Sequence, residues 1–242
     1  MNRKPQKSKD ELLELSIIIP VYNERENILR TLAEIKRNIL IPYEIIIVYD
    51  FDEDTTLDVL RKNIKQSTNL FVVKNNIFRG PSGAIRTGIA RARASRILVT
   101  MADLCDDLTQ VSQMVRLVPK KFSIACPSRY CKGGEQQLKG SLKVWAPRLA
   151  GQLLHFLAGI PTLDPTNSYK LYSAELFKHI TLTSTESFSV TLEIVVKSHA
   201  QGYGIIEIPT VWKDRQHGKT NFKFGRSLVT YFPWFCFAIL HR

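Results

Sequence analysis

The chain has 242 residues, 44% of them hydrophobic, which is enough to fill a substantial core and excludes a disordered or fibrous protein. Its 34 Lys and Arg against 22 Asp and Glu give a net charge of +12, which points to a polyanionic partner: a phosphorylated substrate, an anionic membrane surface or nucleic acid. The four cysteines form no C-x-x-C pair, arguing against a disulfide scaffold or a zinc site and for a reducing cytoplasmic setting.

Residues 1–14 read as a basic tail, and the apolar stretch that follows is broken by Glu14 and Pro20, so no export signal is expected. Residues 15–21, LSIIIPV, form the continuous Ile-rich run of a strand buried on both faces. Asn23 and Glu26 have capping-box spacing, and Ile28, Leu32, Ile35 and Ile39 then recur at helical spacing. The alternation repeats: strand 43–48, helix 55–65 with Leu57, Leu60 and Ile64 inward, strand 70–73, helix 82–93, strand 96–101. Such alternation predicts a mostly parallel α/β sheet with helices on both faces and ligands beyond the carboxyl ends of its strands.

After about residue 123 the pattern becomes strand 123–127, a basic loop SRYCKGGEQ, an amphipathic helix 141–157, strand 169–172, helix 188–201 and strand 204–208. No linker separates the halves, so one sheet is expected to hold both. The uncharged run 228–240, LVTYFPWFCFAIL, falls short of the ~20 residues of a spanning helix. Segment 226–242, with Tyr231, Phe232, Trp234, Phe235 and Phe237 between Arg226 and Arg242, instead suits a membrane interface, with a kink at Pro233. Helix 141–157, carrying Lys143, Trp145, Arg148, Leu153, Leu154 and Phe156, reads equally as a second interfacial surface or as a lid on the core. The chain thus divides into tail 1–14, catalytic domain 15–225 and apolar segment 226–242.

Acids gather where this basic chain should bind its ligand. Asp50 follows the second strand and Asp103 the fourth, so both face one crevice. Two carboxylates among Lys and Arg are what a divalent ion on a diphosphate needs, and hard oxygen ligands suit Mg²⁺ or Mn²⁺. For Asp103 position and neighbours favour the metal role over a helix cap, whereas Asp106 and Asp107 read as ordinary first-turn helix acids.

The blocks SIIIPVYNERENI, VYDFDED, RGPSGAIRTGI, VTMADL, SRYCKGG, LDPTNSYKLY and SFSVTLEIVVKSHAQGYGIIEIPTVWKDRQHGKTNFK resemble, in order, those of family 2 glycosyltransferases over about residues 15–225. The resemblance is nearest to the dolichol-phosphate mannose synthase branch. It implies a GT-A type fold and metal-assisted, inverting transfer of a hexose from a GDP-mannose or UDP-glucose type donor. The acceptor it implies is a polyprenyl or dolichyl phosphate at the cytoplasmic face of a membrane.

By the same resemblance Pro20, Tyr22 and Glu24 line the nucleoside pocket, Asp50 reads base or ribose, and Asp103 is the metal acid. Met101 stands where the metal motif usually has its first Asp, which implies weak metal affinity. Ser168 replaces a usual Gly and Asn221 a usual Lys. Ser128, Arg129 and Lys132 match the acceptor-phosphate site, with Gly133 and Gly134 leaving the backbone open, whereas a bland reading makes them solvated loop residues. Arg215 and Lys219 match the loop over the donor diphosphate, and His217 reads as an ordinary loop histidine.

A phosphate acceptor with a second pKa near ~6 is already an oxyanion at neutral pH and needs no general base. If the acceptor were a glycan or glycolipid hydroxyl, Asp164 is the candidate base, otherwise a turn acid before Pro165. Asp164→Asn is then expected to abolish transfer to a hydroxyl and spare transfer to a phosphate. A non-catalytic basic module binding nucleotide or nucleic acid is the rival of another class, and acids at two strand ends oppose it, so no nucleic acid is expected.

Overall fold

A computed structural model describes residues 13–63, 68–118, 123–137, 142–215 and 224–242. The expected Ile64, Ser141, His217, Lys219 and Asn221, and most of the basic tail, lie outside these residues, as do the side chains of Lys143, Arg226 and Leu228.

The first half is three βα units. Strand β1 (Leu15–Pro20) leads to α1 (Ile28–Asn38), β2 (Tyr43–Tyr49) to α2 (Thr55–Asn63), and β3 (Leu70–Lys74) to α3 (Pro81–Arg91), before β4 (Arg96–Val99). The second half adds α4 (Val111–Leu117), β5 (Ser123–Ser128), β6 (Glu135–Gln137), α5 (Leu142–Ala158), β7 (Lys170–Ser173), α6 (Ser189–Ala200), β8 (Gly204–Pro209), β9 (Val211–Lys213) and α7 (Phe224–Leu240). One seven-stranded sheet in the order β3-β2-β1-β4-β7-β5-β8 holds both halves, as expected, with β7 its antiparallel member. A separate parallel pair, β6 and β9, was not legible in the sequence.

Every residue of β1 is buried, because alternate side chains feed two cores. Ile17 and Ile19 pack with Ile28, Ile35, Leu60 and Met114 on the face covered by α1, α2 and α4. Ile18 packs with Ile85, Leu154, Ile194 and Ala238 on the face covered by α3, α5, α6 and α7. Helix α6 is buried nearly all round and accordingly shows no polar stripe. Its Glu193 accepts from the backbone of Thr183 (2.6 Å) and Ser184 (2.8 Å) and from Lys197 (2.6 Å). Burial alone would raise this carboxyl, but those donors hold it below its ordinary range. Lys197 lies 4.8 Å from the Trp234 ring centroid and so pins α7 to α6.

The expected capping box does not form. Helix α1 starts at Ile28 with no side-chain cap, and Asn23 takes a left-handed φ of 56° and turns its amide elsewhere. Asp107 caps the short 3-10 turn before α4 through Thr109, as a first-turn acid should, but Asp106 does not. Both α5 and α7 form, each with a proline inside, Pro147 and Pro233. No helix among the described residues is long and apolar enough to cross a membrane.

Candidate active site

The carboxyl ends of β1 and β2 are locked together by Asp54. Its carboxylate accepts from Asn23 N (3.1 Å) and caps α2 at Thr56 N (2.9 Å), while Asn23 Oδ1 accepts from Thr55 N (3.1 Å). This lock explains the left-handed Asn23, a residue type that tolerates that region. Tyr22, 53% exposed, meets Phe51 edge-to-face at 5.4 Å, forming an open aromatic wall just past Pro20. Asp50 is occupied internally: one oxygen accepts from Asn75 Nδ2 (2.7 Å) and the other from Gly80 N (2.8 Å), so it shapes the turn into α3.

Beyond β4 the chain turns through Leu104 at φ 63°, a strained position for a leucine and a mark of a constrained site. Asp103 Oδ1 accepts from Cys105 N (3.2 Å), which leaves Oδ2 facing Arg215 Nη2 at 3.7 Å. The same Nη2 donates to Glu24 Oε1, so one guanidinium spans two acids from different loops. Arg215 is brought there by β9, whose Lys213 N donates to Cys105 O (3.1 Å). Thr31 Oγ1 donates to Ala102 O (3.0 Å), fixing the turn from the other side. Asp106 accepts from Thr100 Oγ1 (2.8 Å) and Met101 N (3.2 Å), and burial, with Asp103 beside it, pushes its carboxyl up to about 7.

The SRYCKGG loop is built around Ser128, whose buried hydroxyl accepts from Tyr130 N (3.3 Å) and Cys131 N (3.2 Å). Gly133 has φ 88°, and a Cβ on Gly134 would stand 2.4 Å from Ser128 O, so both glycines are structurally required. Arg129 donates to Asp164 through its backbone N (3.1 Å), Nε (2.7 Å) and Nη2 (2.9 Å). Burial alone would lower this guanidinium, but Asp164 outweighs it and holds Arg129 above its ordinary range. Lys170, wholly buried on β7, donates to Asn167 O and lies in the field of Asp164 and Asp106; burial pushes it down. Lys132 is exposed at the loop tip.

Glu24, Asp103 and Arg215 therefore meet in one cleft, with Pro20 and Tyr22 at the end of the neighbouring strand β1, and Asp106, which feels both Asp103 and Arg129, links it to the Arg129–Asp164 pair. Asp50 stands at the same sheet edge with its oxygens turned to the α3 turn. Sequence reasoning missed Phe51, Asp54 and Lys170. Asp54 before two threonines and a helical run carries a cap signal, and Lys170 inside the apolar YKLY run is a buried charge waiting for partners. Away from this site, a cavity of about 390 Å³ lined by Ile89, Arg93 and Phe177 opens at the opposite sheet edge.

The pattern of the Glycosyl transferase family 2 matches residues 16–181. The chain belongs to that family. Dolichol-phosphate mannosyltransferase of Pyrococcus furiosus is 24% identical over 224 residues, which is 90% of this chain and 62% of that protein. Dolichyl-phosphate beta-glucosyltransferase of Saccharomyces cerevisiae is 27% identical over 228 residues, 85% of this chain and 68% of that protein. The chain thus spans only about two thirds of the length of these relatives. Its fold is the GT-A fold of glucosyl-3-phosphoglycerate synthase from Mycobacterium tuberculosis (TM-score 0.65, 15% identity, 100% of this chain and 86% of that one). Crystals of that synthase hold Mn²⁺, UDP and glucosyl-3-phosphoglycerate, and a further one, TM-score 0.66, holds Mg²⁺ and UDP.

Among the described residues no three His, Cys, Asp or Glu side chains converge as a metal cage. Asp103 Oδ2, which faces Arg215 Nη2 at 3.7 Å, is the hard oxygen that Asp103 offers here. That donor set fits a Mg²⁺ or Mn²⁺ ion whose other ligands are diphosphate oxygens and water.

Proposed function

We propose that this glycosyltransferase moves a hexose from a nucleotide-diphosphate sugar to a lipid phosphate of the polyprenyl or dolichyl type, at a membrane surface. The observation that carries the reading is the charge layout of the cleft. Arg215 stands 3.7 Å from Asp103 and Arg129 is held by Asp164, and we assign the first cation to the donor and the second to the acceptor phosphate. Two phosphate groups need two such cationic stations.

Tyr22 and Phe51 form the wall for the nucleobase. Asp50 keeps the α3 turn in shape. A divalent ion held by Asp103 would draw off the charge of the departing nucleotide diphosphate. Arg215, with Lys219 further along, neutralises the same diphosphate, and Arg129, Ser128 and Lys132 make the acceptor-phosphate station. An ionised phosphate attacks without a general base. Asp164 then acts by aiming Arg129, since it is fully buried and turned towards that guanidinium.

Exposed apolar stripes support the membrane. Helix α5 exposes Trp145, Leu149, Leu153 and Phe156, and α7, packed against it, exposes Val229, Phe232, Ile239 and Leu240. Such stripes suit insertion into a bilayer interface, and the net charge of +12 suits anionic lipid. A groove of about 460 Å³ lined by Trp145, Arg148, Leu149 and Gln152 adds an apolar surface with a cation, as a lipid phosphate would use.

The test is turnover of GDP-mannose and UDP-glucose with a short polyprenyl phosphate and Mg²⁺ or Mn²⁺, in wild type and Asp103→Asn. Product is expected from wild type with one donor, with loss of at least about a hundredfold in the variant and after chelation. Equal turnover with and without the Asp103 carboxylate refutes the reading.

A further inference from the structure

We propose that Glu24 parks Arg215 beside Asp103 in the nucleotide-free enzyme, so that the Arg215 guanidinium and a divalent cation are alternative partners of one carboxylate. The inference rests on the nucleotide-sugar reading above and gives Glu24 a role other than lining the nucleoside pocket.

Geometry sets the two cations in competition. Asp103 Oδ1 already accepts from Cys105 N, and Oδ2, the less engaged oxygen, is the one 3.7 Å from Arg215 Nη2. A divalent ion on Oδ2 and a guanidinium at that distance would repel strongly in a partly buried cleft, where the side chains of Arg215, Asp103 and Glu24 are 20%, 19% and 11% exposed. Glu24 is held in its parking position. Its Oε2 accepts from Asn27 Nδ2 (2.8 Å) and its backbone N donates to Thr56 Oγ1 (2.9 Å), which leaves Oε1 aimed at Arg215.

The backbone two residues before Arg215 is tied to the Asp103 turn through Lys213 N and Cys105 O. When a cation displaces the guanidinium, that tether keeps it close, and a nucleoside diphosphate offers it a new anionic partner. Metal alone draws Arg215 away from Asp103 and strains its contact with Glu24, whereas a nucleotide diphosphate arriving with the metal gives the guanidinium a further anion. Binding of the two is therefore cooperative, and Glu24 sets the strength of the coupling.

Purified wild type, Glu24→Gln, Arg215→Gln and Arg215→Lys are titrated with Mn²⁺ alone by electron paramagnetic resonance, and with UDP and GDP by calorimetry with and without Mn²⁺. Arg215→Gln is expected to bind Mn²⁺ alone about tenfold more tightly and metal-free diphosphate about tenfold more weakly, with Arg215→Lys returning Mn²⁺ affinity towards wild type. Glu24→Gln is expected to bind metal-free diphosphate about tenfold more tightly, because Arg215 no longer has to leave an anion. Circular dichroism melts check that each variant is folded, and the two substituted sites give independent arms. The proposal is overturned if Mn²⁺ affinity is unchanged or lower in Arg215→Gln, or if Glu24→Gln weakens diphosphate binding as loss of a nucleoside contact would. Wild type that binds neither nucleotide with Mn²⁺ overturns the transfer reading and this proposal together; wild type that binds, with unmoved variants, overturns the parking contact alone.

Discussion

Asp164→Asn tests the proposed acceptor side of the cleft most directly. Asp164 has no exposure and the Arg129 side chain 13%, so the substitution removes an anion from beside a nearly buried cation. It also sets an amide N–H₂ against a guanidinium N–H₂ in place of one of the contacts at 2.7 and 2.9 Å. Breaking a buried pair by deleting one partner costs about 3–5 kcal/mol; the slight exposure of Arg129 argues for the lower end, about 3. Urea unfolding of Asp164→Asn, Arg129→Met and the double variant should therefore give a coupling of about 2 kcal/mol, with the double variant less damaged than the sum of the singles. Additivity within about 0.5 kcal/mol would show that the pair is not a unit and refute the reasoning. Activity alone no longer separates a phosphate acceptor from a hydroxyl acceptor, contrary to what the sequence suggests, because Arg129 loses its support either way. The pH profile does separate them: loss of a base removes the acidic limb, whereas loss of aim raises KM for the lipid phosphate at every pH.

Asp106→Asn retains an acceptor for Thr100 and Met101 while removing a carboxyl that the fold raises from 3.8 to about 7. A raised acid favours the fold below its unfolded pKa and loses that contribution as pH climbs through the folded value. Melts should therefore show a gain of about 2–4 kcal/mol at pH 8 and almost none at pH 4, and a gain of equal size at both would contradict the assignment. Gly134→Ala forces a Cβ to within 2.4 Å of Ser128 O, and the loop must move, with an expected stability loss of about 1–3 kcal/mol and weaker acceptor binding in a saturation assay. Trp145→Ser with Phe232→Ser should lower partition onto anionic vesicles at least about tenfold with little change in melting temperature, as sedimentation would report.

The sheet was legible because its strands obey simple periods. Residues 15–20 and 43–49 are Ile-rich runs buried on both faces, and each is followed by an apolar 3.6-residue repeat. Boundaries were read less well where tertiary contacts overrode local chemistry. The N-x-x-E spacing at Asn23 is a sound capping signal, yet Asp54, 31 residues away, claims the backbone of Asn23 and delays the helix to Ile28. Helix α4 has seven residues and β6 and β9 three each, too short for any period to declare itself. At the site, the sequence placed the residues but not their partners. It could not say that Asp50 faces Gly80 N, that Asp164 faces Arg129, or that Arg215 crosses to Glu24, because separations of 30, 35 and 191 residues are closed by the fold alone.

Those partners answer why a chain of net charge +12 gathers acids at its binding edge. Glu24 and Asp103 face Arg215, Asp164 faces Arg129, and Asp106 lies in the field of Lys170. Acids and bases thus nearly cancel inside the cleft, while the excess of positive charge lies elsewhere on the chain. A bare acidic cleft would repel a diphosphate, and a bare basic one would bind any anion. On the reading proposed above, a cleft of internal pairs admits a ligand that exchanges partners with it, cation for guanidinium at Asp103 and phosphate for carboxylate at Arg215, which lowers the cost of unpairing buried charge. Under that reading, selectivity for a metal-bearing diphosphate follows from pairing, since an anion without its cation could take Arg215 only by stripping Glu24 and Asp103 of their partner.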